Sequence, residues 1–133
     1  MANQIETDII IIGSGLAGCI AALCASEFFK NITLITKADN PKESNSYYAQ
    51  GGIIYKGEND SPEKLIHDIL YAGGNINKRE AVHITAHEGP NLVNKILMKK
   101  LKINFSTNKD GKLDMTEEGG HKERRIIHHK DHT

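Results

Sequence analysis

The sequence has no tryptophan, and aromatic residues make up only 5% of it, so the stacking platforms that hold single-stranded nucleic acid are largely missing. It has no surplus of charge either. Its 17 Lys and Arg offset 17 Asp and Glu, leaving no overall field to steer a polyanion. Arg124, Arg125, Lys122 and Lys130 make a small basic cluster, too little to outweigh that balance, and nucleic acid is not expected as a partner. No apolar run approaches the roughly 20 residues of a membrane span. Ile9 to Ile12 stops at Gly13, and Cys19 to Ala25 stops at Ser26. The polar start, with Glu6 and Asp8, lacks the cationic and apolar regions of a signal peptide, so a cytoplasmic location without a membrane span is expected. There are two cysteines, Cys19 and Cys24. Five residues apart on one expected helix, they point to different faces and do not bridge. They are expected to be small buried hydrophobes. The 133 residues suffice for one domain of about 100–150 residues.

What is present begins with Ile9-Ile10-Ile11-Ile12, a β-branched run without alternation, which predicts a strand buried on both faces in a parallel sheet. Residues 16–29 read as a helix rich in Ala, Leu and Ile, and residues 32–36 as a second strand. The βαβ unit so formed covers residues 8–36. Inside it, Gly13-Ser14-Gly15-Leu16-Ala17-Gly18 fits G-x-G-x-x-G between a strand and a helix, the context in which that pattern signals a dinucleotide site. Gly13 permits the tight turn, Gly15 lets the backbone approach a pyrophosphate, and Gly18 lets the helix pack on the strand. The free N–H groups at the helix start favour phosphate. Lys37 stands where a ribose-binding carboxylate is usual. A lysine there suits either the 2′-phosphate of NADP or the ribose and phosphates of FAD, and the fingerprint does not choose.

Residues 37–53 form a loop too long for a plain connection, so a functional or flexible role is expected. Residues 60–101 read as a helical segment. Ser61-Pro62 starts its first helix and Gly73-Gly74 stops it. Asn77 and Glu80 suggest a capping box for the next, and Pro90 is expected to break or kink it. Residues 103–105 read as a strand, and Asn108-Lys109-Asp110-Gly111 as a hairpin turn. From Met115 onward the pattern is too charged to assign.

The segment Ser44-Asn45-Ser46-Tyr47-Tyr48-Ala49-Gln50-Gly51-Gly52-Ile53 resembles the flavin-contacting loop of the fumarate reductase, succinate dehydrogenase and L-aspartate oxidase superfamily. With Ile11-Ile12-Gly13-Ser14-Gly15 and Thr36-Lys37, it covers the FAD-contacting segments such proteins carry near their N-terminus. The resemblance implies an α/β fold: a Rossmann-like FAD-binding βαβ unit followed by helices. It implies that Ser14, Gly15, Leu16 and Ala17 lie at the pyrophosphate and Lys37 near the ribose. It also implies that Asn45, Ser46, Tyr47, Tyr48, Ala49, Gln50, Gly51 and Gly52 pass along the flavin. Asn45 stands where the respiratory members have a histidine bonded to the flavin, so non-covalent FAD is expected.

Glu118-Gly119-Gly120-His121, followed by Arg124-Arg125-Ile126-Ile127-His128, is similar to a segment of the L-aspartate oxidases. There the glutamate helps orient the substrate amino group, and Glu118 takes that place here. An ammonium buried beside a flavin needs a carboxylate partner. The resemblance implies oxidation of L-aspartate to iminoaspartate, electrons passing to FAD and then to oxygen or fumarate. That is the first step toward quinolinate and NAD, with a functional link to quinolinate synthase. Residues 1–133 are expected to be the N-terminal part of the FAD-binding domain, lacking the capping and C-terminal helical domains and not catalytically complete alone. The alternatives are a fumarate reductase or succinate dehydrogenase type of flavoprotein, and an inactive FAD-binding remnant. Seven histidines raise the question of metal, since His128 and His132 are four apart with His121 and Asp131 near. The glutamate of H-E-x-x-H is absent and no cysteine helps, so no metal site is expected. His67, His83 and His87 read as ordinary surface residues.

Overall fold

The computed structural model describes residues 4–129, and the chain divides after Ala49 into two compact units. In the first unit, β1 (Ile9–Ile12) lies parallel to β2 (Ile32–Ile35). The register pairs Ile9 with Ile32 and Ile12 with Ile35. α1 (Leu16–Ala25) makes the connection, giving the expected βαβ order. The edge of the pair is tied by side chains: Asn31 N–H donates to Asp8 Oδ2 (3.1 Å), and the Thr7 hydroxyl donates to Asn31 O (2.8 Å).

Two expectations for this unit are corrected. The isoleucine strand is not buried on both faces: Ile10 is 58% exposed and Ile12 86%, because a sheet of two strands and one helix covers only one side. Cys19 and Cys24 are free and exposed rather than buried, because one helix lying against two strands leaves much of α1 uncovered. α1 also stops short of Phe29. Ser26 Oγ donates to Leu23 O (2.8 Å), the local competition by which serine ends helices, and Phe28 is left 81% exposed.

The loop after β2 contains one short helix, α2 (Asn45–Tyr48), capped by Ser44, whose Oγ accepts from Tyr47 N–H at 3.3 Å.

The second unit holds a three-stranded antiparallel sheet and a helical pair. β5 (Ile126–Ile127) lies between β3 (Ile53–Ile54) and β4 (Met115–Thr116). Ile53 faces Ile127, and Thr116 faces Ile126. α3 (Pro62–Ala72) starts as expected: Ser61 Oγ accepts from Lys64 N–H, and Pro62 fills the first turn. α4 (Arg79–Leu92) has no side-chain cap, so the Asn77–Glu80 box does not form; Asn77 Oδ1 is buried without a partner among the described residues. Pro90 does not break the helix. The helix runs through it and continues as a π-helix over Val93–Lys100.

Residues 103–105 form no strand. Lys102 turns through φ +53°, and Ile103 N–H is spent on Leu97 O at the helix end. The hairpin at 108–111 forms in minimal size: Thr107 bridges Leu113, and Asn108 Oδ1 accepts from Asp110 and Lys112 N–H. Leu65, Val82, Ala86, Leu97, Ile126 and Ile127 make the buried core of this unit. Full burial of an isoleucine such as Ile127 contributes about 1.5–3 kcal/mol, so the two isoleucines of β5 make a substantial part of this core.

Candidate functional site

The first unit presents the glycine turn. Gly13 takes φ +114°, a conformation open to glycine, while its N–H donates to Ile35 O (2.8 Å) and prolongs the β1–β2 ladder. The chain then enters α1 at Gly15. A Cβ on Gly18 would overlap the Gly13 carbonyl, so helix and turn approach as closely as the third glycine of the pattern predicts. Ser14 Oγ donates to Thr36 Oγ1 (3.0 Å), fastening the turn to the end of β2. Leu16 N–H donates to Ser46 Oγ (2.9 Å), which brings the loop serine to the helix N-terminus. The N–H groups of Ala17 and Gly18 lie in the first turn, where geometry supplies no intrahelical acceptor. No acidic side chain stands in that turn to compete for them.

Lys37 is exposed just beyond β2, and Asn45 is exposed at the start of α2. Tyr47 and Tyr48 meet edge to face, ring centroids 5.3 Å apart, both exposed. The Tyr48 hydroxyl donates to Glu43 Oε2 (2.9 Å), and that bond holds the phenol above its ordinary pKa. Ala49 is exposed at the end of α2.

In the second unit, Gln50 is exposed and Gly51 takes φ +95°. Gly52 lies against β5: a Cβ there would overlap Ile126 and stand 2.7 Å from Ile127 O and 2.8 Å from the His128 ring. Glu118 belongs to the same neighbourhood. Its Oε1 is 3.4 Å from His128 Nε2, and its Oε2 is 3.8 Å from the point a Cβ on Gly51 would occupy. His128 Nε2 is also 2.7 Å from Thr116 Oγ1. The Glu118 side chain remains 41% exposed, so it keeps acceptor capacity for a cation.

A second cluster escaped the reading of the sequence. Arg125, counted there within a basic patch, is fully buried. It donates to both oxygens of Asp60 (2.8 and 2.7 Å) and to Asp68 Oδ2 (2.8 Å), with Nη1 3.1 Å from His121 Nδ1. Burial pushes the Asp68 carboxyl up, but bonds from Lys122 N–H, Arg125 and His67 outweigh it, and its pKa lies below the usual range. No local signal marked it, because its partners Asp60 and Asp68 lie 65 and 57 positions away in the sequence. Among the described residues, no group of three or more His, Cys, Asp or Glu converges to hold a metal; His132 and Asp131 lie outside them.

The family model for an FAD binding domain matches residues 8–133. The chain belongs to the FAD binding domain family. The α/β arrangement is the FAD-binding flavoprotein fold, and FAD is the cofactor to which the comparisons point. The chain is 38% identical over 127 residues to an L-aspartate oxidase, chloroplastic, of Oryza sativa subsp. japonica, covering 95% of this chain and 19% of that protein. It is 38% identical over 126 residues to an L-aspartate oxidase of Streptomyces coelicolor, covering 93% and 21%. Among solved structures, the Mycobacterium smegmatis Sdh1 complex in the apo form superposes with TM-score 0.82 at 27% identity, over 95% of this chain and 21% of that one. A quinol fumarate reductase of E. coli gives TM-score 0.79 at 28% identity, over 92% and 21%. The chain spans about a fifth of the length of these relatives. Among the described residues, no helix is long and apolar enough to cross a membrane.

The residues present fit FAD at its anionic end. The glycine turn clears space for main-chain approach, and the acid-free first turn of α1 offers donors.

Proposed function

We propose that this FAD-binding chain is the N-terminal part of a cytoplasmic flavoenzyme that oxidises L-aspartate to iminoaspartate. Ser14, Gly15, Leu16 and Ala17 hold the pyrophosphate, with Gly13 and Gly18 shaping the turn. Lys37 lies along the ribose. Asn45, Ser46, Tyr47, Tyr48, Ala49, Gln50, Gly51 and Gly52 pass along the flavin, which is held without a covalent bond because Asn45 has no ring nitrogen to form one. FAD held by these residues would supply the two-electron acceptor for oxidation of the substrate Cα–N bond, with oxygen or fumarate as the final oxidant. Iminoaspartate then feeds quinolinate formation, the link to quinolinate synthase.

The observation that carries this reading is the Glu118 carboxylate, 3.8 Å from the Cβ position of Gly51 and paired only loosely with His128 at 3.4 Å. An ammonium brought beside a flavin loses its hydration and needs an anionic acceptor. Aspartate has an ammonium; succinate and fumarate do not. The relatives named L-aspartate oxidase support the same substrate. A second reading, dicarboxylate chemistry without the amino group, is favoured by the Sdh1 and fumarate reductase structures.

Anaerobic mixing separates the two. The FAD-loaded enzyme carrying this segment should lose its visible flavin absorbance with L-aspartate and release ammonia as the imine hydrolyses. Bleaching by succinate, with none by L-aspartate, would replace the first reading by the second.

A further inference from the structure

Glu118 has little to hold its own side chain in place, so its position depends on the backbone that carries it. That backbone is a turn, Glu118-Gly119-Gly120-His121, closed by His121 N–H donating to Glu118 O (3.0 Å). Gly120 stands at φ +85°, and a Cβ on it would lie 3.4 Å from Ala72 Cβ, so the turn rests on the end of α3.

The far side of the turn is anchored in the buried cluster. His121 Nδ1 lies 3.1 Å from Arg125 Nη1. Arginine carries donors and no acceptor, so the imidazole nitrogen accepts and the ring proton sits on Nε2. Arg125 is itself fixed by Asp60 and Asp68 at full burial. The next residue, Lys122, donates its N–H to Asp68 Oδ2 (3.1 Å), and its ammonium stands 5.9 Å from the Tyr71 ring centre. Glu123 pairs with Lys64 at 2.6 Å. On the near side, Arg125 N–H donates to Thr116 O (3.2 Å) and Arg124 Nε–H to Met115 O (2.9 Å). Both ends of the short segment bearing Glu118 thus return to Arg125, and His121 is the side chain that joins turn to cluster.

We propose that His121 is a positioning residue: through its bond to Arg125 it sets where the Glu118 carboxylate meets the substrate ammonium. This rests on the reading of Glu118 given above. A carboxylate displaced by about an ångström loses much of its value to a reacting group.

The test uses His121→Leu, His121→Asn and Glu118→Gln in the FAD-loaded enzyme. Leucine removes the acceptor, whereas asparagine can place an amide oxygen near the old Nδ1 position. His121→Leu should lower kcat/KM for L-aspartate roughly 10- to 100-fold while fumarate reduction changes by less than about threefold, and His121→Asn should restore most of the loss. Amide exchange at His121 and Lys122 should quicken in the leucine variant, recover in the asparagine variant, and stay unchanged in α1. Equal loss on both substrates would make His121 a fold residue only. Unchanged aspartate kinetics in His121→Leu, with Glu118→Gln impaired, would overturn the positioning role and leave Glu118 standing. If Glu118→Gln itself leaves the ratio of the two activities unchanged, the reading of Glu118 falls and this proposal with it.

Discussion

Arg125 and Asp60 are joined by two hydrogen bonds, Nε to Oδ2 at 2.8 Å and Nη2 to Oδ1 at 2.7 Å, with the arginine fully buried and the aspartate side chain 4% exposed. The remaining donors reach Asp68 and His121, so one guanidinium binds the loop that leads into α3, the face of α3 and the turn of Glu118. Arginine suits this task because its planar fork meets two carboxylates at once.

Arg125→Met should destabilise the second unit severely. It leaves Asp60 and Asp68 buried without their cation, and breaking a buried pair from one side costs about 3–5 kcal/mol. Urea titration followed by circular dichroism should show a lower midpoint. A midpoint equal to that of the unaltered chain would mean the aspartates are hydrated and the cluster is not closed.

Asp68 ties stability to pH. Its folded pKa lies below the unfolded value of about 3.9, so its contribution is fully present above that value and is lost as pH falls through the lower folded pKa. Denaturation midpoints should therefore drop steeply below about pH 4, and less steeply in Asp68→Asn. Parallel profiles for the two proteins would contradict this.

Gly15→Val should abolish FAD retention. A Cβ at this position already stands 3.2 Å from Ser46 Oγ, and the valine methyls would fill the space through which the main chain meets the pyrophosphate. The absorbance ratio of flavin to protein after gel filtration reports it; a full flavin complement would reduce Gly15 to a turn residue.

Acid precipitation of the FAD-loaded enzyme should send all yellow colour into the supernatant, because Asn45 offers no nucleophilic ring nitrogen to the flavin. Colour remaining in the denatured pellet would place a covalent link elsewhere in the protein.

The βαβ unit was legible because a β-branched strand, three glycines and a crossover helix rich in Ala, Leu and Ile all point the same way. Ser61-Pro62 was legible for a local reason too, a cap and a first-turn proline that act within four residues. The Asn77–Glu80 box failed because the helix starts one residue later, with Lys78 at its N-cap, and the Asn77 side chain folds back against Gly73 with its Oδ1 buried. β3, β4 and β5 are two residues each, too short for any alternation to show. The burial of Arg125 was hidden for a different reason. A charged residue reads as surface until its partners are known, and these lie 57 and 65 positions away. At the site, the glycine turn was readable from spacing, whereas the neighbourhood of Glu118, Gly51 and His128 rested on resemblance and became geometry only in the fold.

The central claim is that Glu118 receives the ammonium of L-aspartate. Glu118→Gln keeps the shape and removes the charge, and its decisive readout is the ratio of aspartate oxidation to fumarate reduction in the FAD-loaded enzyme. Losing a charge-assisted bond of about 1.5–3 kcal/mol should lower kcat/KM for aspartate roughly 10- to 150-fold. Fumarate has no amino group to misplace, so its reduction should change far less, and general damage to folding or flavin binding cancels in the ratio. A ratio unchanged from that of the unaltered enzyme would contradict the assignment.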